Sequence, residues 1–135
     1  MTGTDAIVVF DSEALSRAIN GDAYMRGVIK DSYDNDELVI VPATTIVEAT
    51  HAKSNRAALD WLLSRVEVKP VTEKVAVTAS RLLIAARLHG HKHALDAILC
   101  AIAIQNSTGR PLVYTSDPDD IKLISDDQVD IVALR

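Results

Sequence analysis

The stretch "AIVVFDSEALSRAI" (residues 6–19) decides the fold class, because a short β-branched run leads directly into a helical one. Residues 6–10 are typical of a buried strand. Asp11 ends the apolar run, and "SEALSRAI" follows with helical character. A strand that passes at once into a helix is the unit from which α/β sheets are built.

The same alternation continues to the end of the sequence. Further strands are predicted at 37–41, 111–116 and 129–134, and 66–71 is a brief extended piece. Three further helices are predicted in the first half of the chain, at "AYMRGVIKDSY", "TTIVEATHAK" and "RAALDWLLSRV", the last with Ser54 or Asn55 as its N-cap. A long helix is predicted from Thr72 to about Leu88, and Gly90 is expected to end it. Two more helices are predicted at residues 93–105 and at "DPDDIKLIS". This order predicts an α/β fold with a mainly parallel central sheet between two helical layers. Ligands of such sheets bind beyond the carboxyl ends of the strands.

Composition narrows the class of protein. The 135 residues fit one domain spanning 1–135, and 48% hydrophobic with 24% charged residues is typical of a globular chain. The net charge of −5 argues against broad electrostatic coating of DNA. We expect no membrane segment, since no apolar run reaches about 18 residues. The single cysteine, Cys100, favours a cytoplasmic protein and a simple core role for that thiol.

The segment "HALDAILCAIAIQ" (93–105) contains one residue that does not fit its surroundings. It is apolar at nearly every angle of a helical wheel, yet it carries Asp96 and no Lys or Arg. A helix that is hydrophobic all round is normally buried. A buried carboxylate without a partner neutralises, pairs or binds a metal. Asp96 is therefore a candidate functional residue.

Three other acids occupy positions where they could join Asp96. Asp11 and Asp117 follow predicted strands, and Glu48 lies on the helix after the second strand. Taken singly, each has an ordinary role. Asp11 and Asp117 could cap helices, the latter with Asp120 reaching back as in a capping box, and Glu48 could be solvated. Taken together, the four carboxylates could converge on one cavity.

Converging carboxylates need a compensating charge, because like charges this close cannot all stay ionised. Mg²⁺, with Mn²⁺ as a substitute, prefers such oxygen ligands and often also binds substrate phosphate. A site of this kind can activate water and stabilise charge during phosphodiester cleavage. The acids thus favour a metal-dependent hydrolase.

The motifs "VVFDSEAL", "TTIVEATHA", "HALDAILCAIA" and "LVYTSDPDDI", in this order, resemble the PIN-domain fold, specifically the VapC toxin ribonucleases of bacterial toxin–antitoxin pairs. The resemblance covers nearly the whole chain. It implies a PIN-like three-layer domain, endoribonuclease activity, and Asp11, Glu48, Asp96 and Asp117 as the catalytic, metal-binding acids. It also implies an RNA substrate, often tRNA or rRNA, an inhibitory antitoxin protein and a homodimer. Whether Asp119 or Asp120 joins Asp117 stays open.

The segment "RLHGHKHALD" (87–96) is the candidate for RNA contact, because Arg87, Lys92 and three histidines precede Asp96. His93 lies three residues before Asp96 and shares its helix face. The alternative is a solvated connection between helices. A transition-metal site built from these histidines is disfavoured, since no Cys or further His lies at matching spacing.

An apolar groove for the antitoxin is predicted in the early helical region, with core packing as the alternative explanation. The residues that would form it are Leu15, Ile19, Tyr24, Met25 and Val28.

Two other function classes compete with a nuclease. A phosphatase or phosphotransferase could use Asp11 as a covalent nucleophile. It would need an aspartate two residues on, where Glu13 stands, and a lysine after a later strand. A noncatalytic binding module would use the acids only as caps, and the isolated Asp96 counts against it.

Overall fold

The centre of the fold is a five-stranded sheet in which every neighbouring pair is parallel, in the order β3-β2-β1-β4-β5. The computed structural model describes residues 6–135. The strands are β1 (Ile7–Phe10), β2 (Leu38–Pro42), β3 (Glu67–Lys69), β4 (Leu112–Thr115) and β5 (Asp130–Ala133). The four predicted strands are confirmed. The extended piece at 66–71 contains a fifth, which pairs with β2 at the edge of the sheet.

Helices connect the strands as the alternation predicted. Within residues 6–135 they are α1 (Ser12–Ile19), α2 (Ala23–Asp34), α3 (Ala43–Ala49), α4 (Arg56–Leu63), α5 (Glu73–Ala86), α6 (Gly90–Gln105) and α7 (Pro118–Ile124). The helix predicted at "TTIVEATHAK" ends early, at Ala49, because Thr50 turns extended and its hydroxyl donates to the Ile46 carbonyl. None of these helices is long and apolar enough to cross a membrane.

The sheet carries a helical layer on each face. Successive residues of β1 point to opposite faces, as in any strand. Ile7 and Val9 join a core that includes α5, α6 and α7, whereas Val8 and Phe10 join a core that includes α1 and α2. The predicted three-layer α/β fold is confirmed.

The connection between α5 and α6 differs from the prediction that Gly90 ends α5. The chain turns at Arg87, which adopts the left-handed region with φ 60°. The Leu88 amide donates to the Leu83 carbonyl at 3.0 Å, and the Arg87 amide donates to Ile84 at 3.1 Å. This pattern of bonds closes a helix in the Schellman manner. Gly90 instead begins α6, so residues 91–93 form its first turn ahead of Asp96.

The topology brings the ends of β1 and β4 together, because these strands are neighbours at the centre of the sheet. Asp11 follows the first of them and Asp117 lies two residues beyond the second. Both acids therefore lie at the carboxyl edge of the sheet, where parallel α/β folds bind their ligands.

Candidate metal centre

Asp11 is a nearly buried carboxylate that links two parts of the fold. It is 5% exposed. Its Oδ1 accepts a hydrogen bond from the Ala14 amide at 2.8 Å, which caps α1. Its Oδ2 accepts from the Ser116 amide at 2.8 Å, just beyond β4. The capping role considered for Asp11 is thus real, and the same bonds hold the carboxylate at the sheet edge.

Asp117 occupies the N-cap position of α7 but makes no side-chain capping bond. The capping explanation for this residue is therefore wrong. Its backbone amide donates to the Thr115 hydroxyl at 2.9 Å, which orders the turn after β4. Partial burial of the carboxyl group, together with Asp11 and Asp120, raises the pKa of Asp117. The side chain faces other acids rather than the helix end.

Asp96 is the acid of the cluster whose pKa is shifted most. It is half-buried on α6, and burial raises its pKa to about 7, with Asp117 and Glu48 as the largest charged contributors. Glu48, on α3, is an exposed residue whose carboxyl group is partly desolvated. That desolvation raises the pKa of Glu48, and the charges of Asp11 and Asp117 raise it further, against a hydrogen bond with Ser12 that lowers it. Neighbouring carboxylates therefore make Asp96 and Glu48 harder to ionise.

A cavity of about 270 Å³ lies where α3, α6 and α7 meet. It is lined by Glu48, His91, Lys92, His93, Ala94, Leu95, Asp96, Asp117 and Asp120. Three of the four acids singled out in the sequence line it directly. Asp11 is not among the lining residues, but it lies close enough to raise the pKa of the other three.

Asp120, rather than Asp119, joins Asp117 at this cavity. Asp119 lines a separate hollow with Lys122 and Asp126. Asp120 lies beside His93, with 3.9 Å between the Asp120 Oδ2 and the imidazole Nδ1. One possible ligand atom from each of His93, Asp96 and Asp120 lies within 4.8 Å of the other two. The shared helix face of His93 and Asp96 was visible in the sequence, but the approach of Asp120 was not.

The donor set fits a divalent cation. The carboxylates supply oxygen ligands of the kind that Mg²⁺ and Mn²⁺ prefer. A bound cation would also relieve the repulsion that raises the pKa of Asp96, Glu48 and Asp117. The arrangement could hold a metal ion at the carboxyl edge of the sheet.

Three further residues singled out in the sequence, Cys100, Lys92 and Arg87, have different environments. Cys100 is fully buried, and burial raises its pKa to about 12, so its thiol stays protonated and serves the core as predicted. In the RNA-contact segment, Lys92 lines the cavity, whereas Arg87 forms the C-cap of α5 and is not among the lining residues described.

The predicted antitoxin groove is wrong in part. Leu15 and Met25 are completely buried in the core beneath α1 and α2, and Ile19 and Val28 are partly buried against it. Tyr24 is 57% exposed. Core packing is therefore the correct explanation for most of these residues. The sequence could not decide this, because helical spacing alone does not show whether an apolar face is already covered by other parts of the fold.

Comparison with known proteins supports the fold. No protein-family model matches the sequence, and no curated protein matches it. Among solved structures, the chain is similar to a chain in the crystal structure of VapBC2 from Rickettsia felis, which is bound to a DNA fragment from the VapBC2 promoter. The TM-score is 0.70 at 17% identity, over 96% of this chain and 99% of that chain. The resemblance to the PIN-like fold is thus confirmed in three dimensions.

Proposed function

We propose that the protein is a metal-dependent endoribonuclease, the toxin component of a toxin–antitoxin pair. The observation that carries the proposal is the convergence of Glu48, Asp96 and Asp117 on one cavity, with Asp11 near enough to raise the pKa of all three. The similarity of the whole chain to VapBC2 supports it. A cluster of acids at the carboxyl edge of a parallel sheet suits phosphodiester chemistry, because a cation held there can meet a phosphate.

The four acids have distinct tasks in this proposal. Asp96, Glu48 and Asp117 would hold Mg²⁺, or Mn²⁺ in its place, with Asp11 as the fourth ligand. Bound there, the cation would supply an activated water and stabilise charge on the phosphate. The Ala14 and Ser116 amides fix Asp11 in position before any ligand arrives. In the metal-free protein, Asp96 takes up a proton near neutral pH, so cation and proton compete for it.

The substrate and partners in this proposal rest on the family resemblance. The substrate we propose is RNA, such as tRNA or rRNA, and the location we propose is the cytoplasm. The similar chain belongs to VapBC2, and we propose an antitoxin partner and a homodimer for this protein as well. Tyr24 remains available for such a contact because it is exposed.

The competing functions have less support. A phosphotransferase that used Asp11 would need an aspartate two residues further on, and Glu13 occupies that position. A module that uses its acids only as caps does not explain Asp117, which makes no capping bond, or Asp96 in the middle of α6.

Cleavage of total RNA by the purified protein tests the proposal. The wild type should cut RNA in Mg²⁺ or Mn²⁺, stop in a chelator and recover when the metal is restored. Asp96→Asn should lose at least about a hundredfold in rate, since even the loss of an outer-shell partner costs up to about that much. Asp119→Asn is the matched control, because Asp119 lines a different hollow. Equal cleavage by wild type and Asp96→Asn would disprove the proposal and indicate a contaminating nuclease.

A further inference from the structure

One nitrogen donor lies among the carboxylates of the candidate metal centre. His93 is in the first turn of α6, three residues before Asp96, so both side chains leave the same face of the helix. Its side chain is only 12% exposed. It lines the cavity together with Asp96 and Asp120. The imidazole is therefore held inside the site rather than on its solvated rim.

The imidazole is close to the carboxylates but makes no hydrogen bond to them. The Nδ1 of His93 lies 3.9 Å from the Asp120 Oδ2, which is too long for a hydrogen bond. One ligand atom from each of His93, Asp96 and Asp120 fits within 4.8 Å of the others. Ligands about 2.1 Å from a common ion lie up to about 4.2 Å apart, so small side-chain adjustments would let all three reach one cation.

The chemistry of the donors differs from that of a purely acidic site. Mg²⁺ is a hard cation that takes oxygen ligands and retains its waters. Imidazole suits first-row transition metals such as Zn, Fe and Ni, and Mn²⁺, the weakest binder of that series, still accepts a nitrogen ligand more readily than Mg²⁺ does. A mixed set of one nitrogen and two carboxylates therefore favours a transition-metal dication over Mg²⁺, whereas four carboxylates alone would not.

We infer that His93 is a metal ligand, which binds a divalent transition-metal ion together with Asp96 and Asp120 and makes the site prefer Mn²⁺ to Mg²⁺. This inference builds on the metal centre of the proposed function, with which it shares Asp96 and to which it adds His93 and Asp120 from the same cavity. It concerns cation binding alone and does not require RNA cleavage. The competing explanation is an ion pair between protonated His93 and Asp120, in which the imidazole has no lone pair for a metal.

Electron spin-echo spectroscopy of Mn²⁺ bound to the intact protein separates these two explanations. A directly bound imidazole couples its ¹⁴N nucleus to the Mn²⁺ spin. The wild type should show this coupling, and His93→Leu should lose it. His91→Leu is the matched control, because His91 lines the same cavity two residues away and is exposed. It should keep the coupling. His93→Gln, which preserves polarity, repeats the test if His93→Leu folds poorly.

Competition between the two cations gives a second readout. His93→Leu should weaken Mn²⁺ binding at least about tenfold. Its Mg²⁺ affinity, measured by displacement of Mn²⁺, should change much less, because Mg²⁺ gains little from a nitrogen ligand. His91→Leu should leave both affinities unchanged.

Each contrary result points to a different failure. Mn²⁺ binding without ¹⁴N coupling, coupling that survives in His93→Leu, or coupling lost only in His91→Leu overturns the assignment of His93 and leaves the nuclease proposal to its RNA assay. Absence of any Mn²⁺ binding to the wild type overturns the metal centre itself, and with it both the inference and the proposed function.

Discussion

The Asp11 carboxylate and the Ser116 amide, 105 residues apart in sequence, form a hydrogen bond of 2.8 Å at the end of two neighbouring strands. Through this bond and the bond to Ala14, one side chain both caps α1 and fixes the turn that leads to Asp117. Asp11 therefore contributes to stability as well as to the proposed metal centre.

Asp11→Ala should destabilise the protein, in contrast to substitution of the other site acids. The change leaves the amides of Ala14 and Ser116 without their acceptor, so we expect a loss of about 2–4 kcal/mol in the free energy of unfolding. Urea unfolding measures it. Asp22→Ala, which removes only the exposed cap of α2 at Met25, is the control and should lose about 1 kcal/mol. Equal losses in the two variants would show that the Ser116 bond adds nothing.

The metal-free protein should become less stable as pH rises from about 4 to 7. Asp96 has its pKa raised from 3.8 to about 7. In this window the folded state binds more protons than the unfolded chain, so the free energy of unfolding falls with increasing pH. Glu48 and Asp117 act in the same direction, since their pKa values are also raised.

Asp96→Asn should reduce this pH dependence and raise stability at pH 8, because the amide is neutral at every pH. Thermal melts of both proteins in a chelator, from pH 5 to 8, make the comparison. Added Mn²⁺ should stabilise the wild type by mass action and the variant much less. A steeper pH dependence in Asp96→Asn than in the wild type would contradict the raised pKa.

Lys92 should guide RNA towards the acid-lined cavity, since its side chain lines that cavity beside Asp96. In an Asp96→Asn background, Lys92→Ala should weaken RNA binding and lower the slope of log affinity against log salt by about 0.7, the value for one phosphate contact on a single strand. Fluorescence anisotropy over a salt series measures both. Lys122→Ala removes an equal charge beside Asp119, at a separate hollow, and should change neither. Identical slopes for the two variants would place the RNA path elsewhere.

Arg87→Gly should be neutral or stabilising, by up to about 1 kcal/mol, despite removing a long side chain. Arg87 holds φ 60°, which costs an ordinary residue about 1–2 kcal/mol and a glycine almost nothing. The greater freedom of glycine in the unfolded chain offsets part of this gain. Ala76→Gly, an exposed position within α5, should instead lose about 1 kcal/mol. A similar loss in both variants would show that the left-handed turn carries no strain.

The sequence by itself determined the order of the helices and strands and most of their boundaries. Helix α1 begins and ends at the predicted residues, and four strands lie where the β-branched runs indicated. Local patterning suffices here, because strand and helix periodicity reflects which face of each segment is buried. The sequence also identified Asp96 as a candidate functional residue, because a carboxylate in a helix that is apolar on all sides needs a special environment.

Only the tertiary structure decided how these residues meet. Asp119 and Asp120 are adjacent in sequence, but successive helical positions point in different directions, and the packing of α7 against α6 brings Asp120 to His93 while Asp119 faces another hollow. Likewise, the burial of Leu15 and Met25 depends on what covers their helices. Such contacts join residues far apart in the chain, and no local pattern encodes the distance between them.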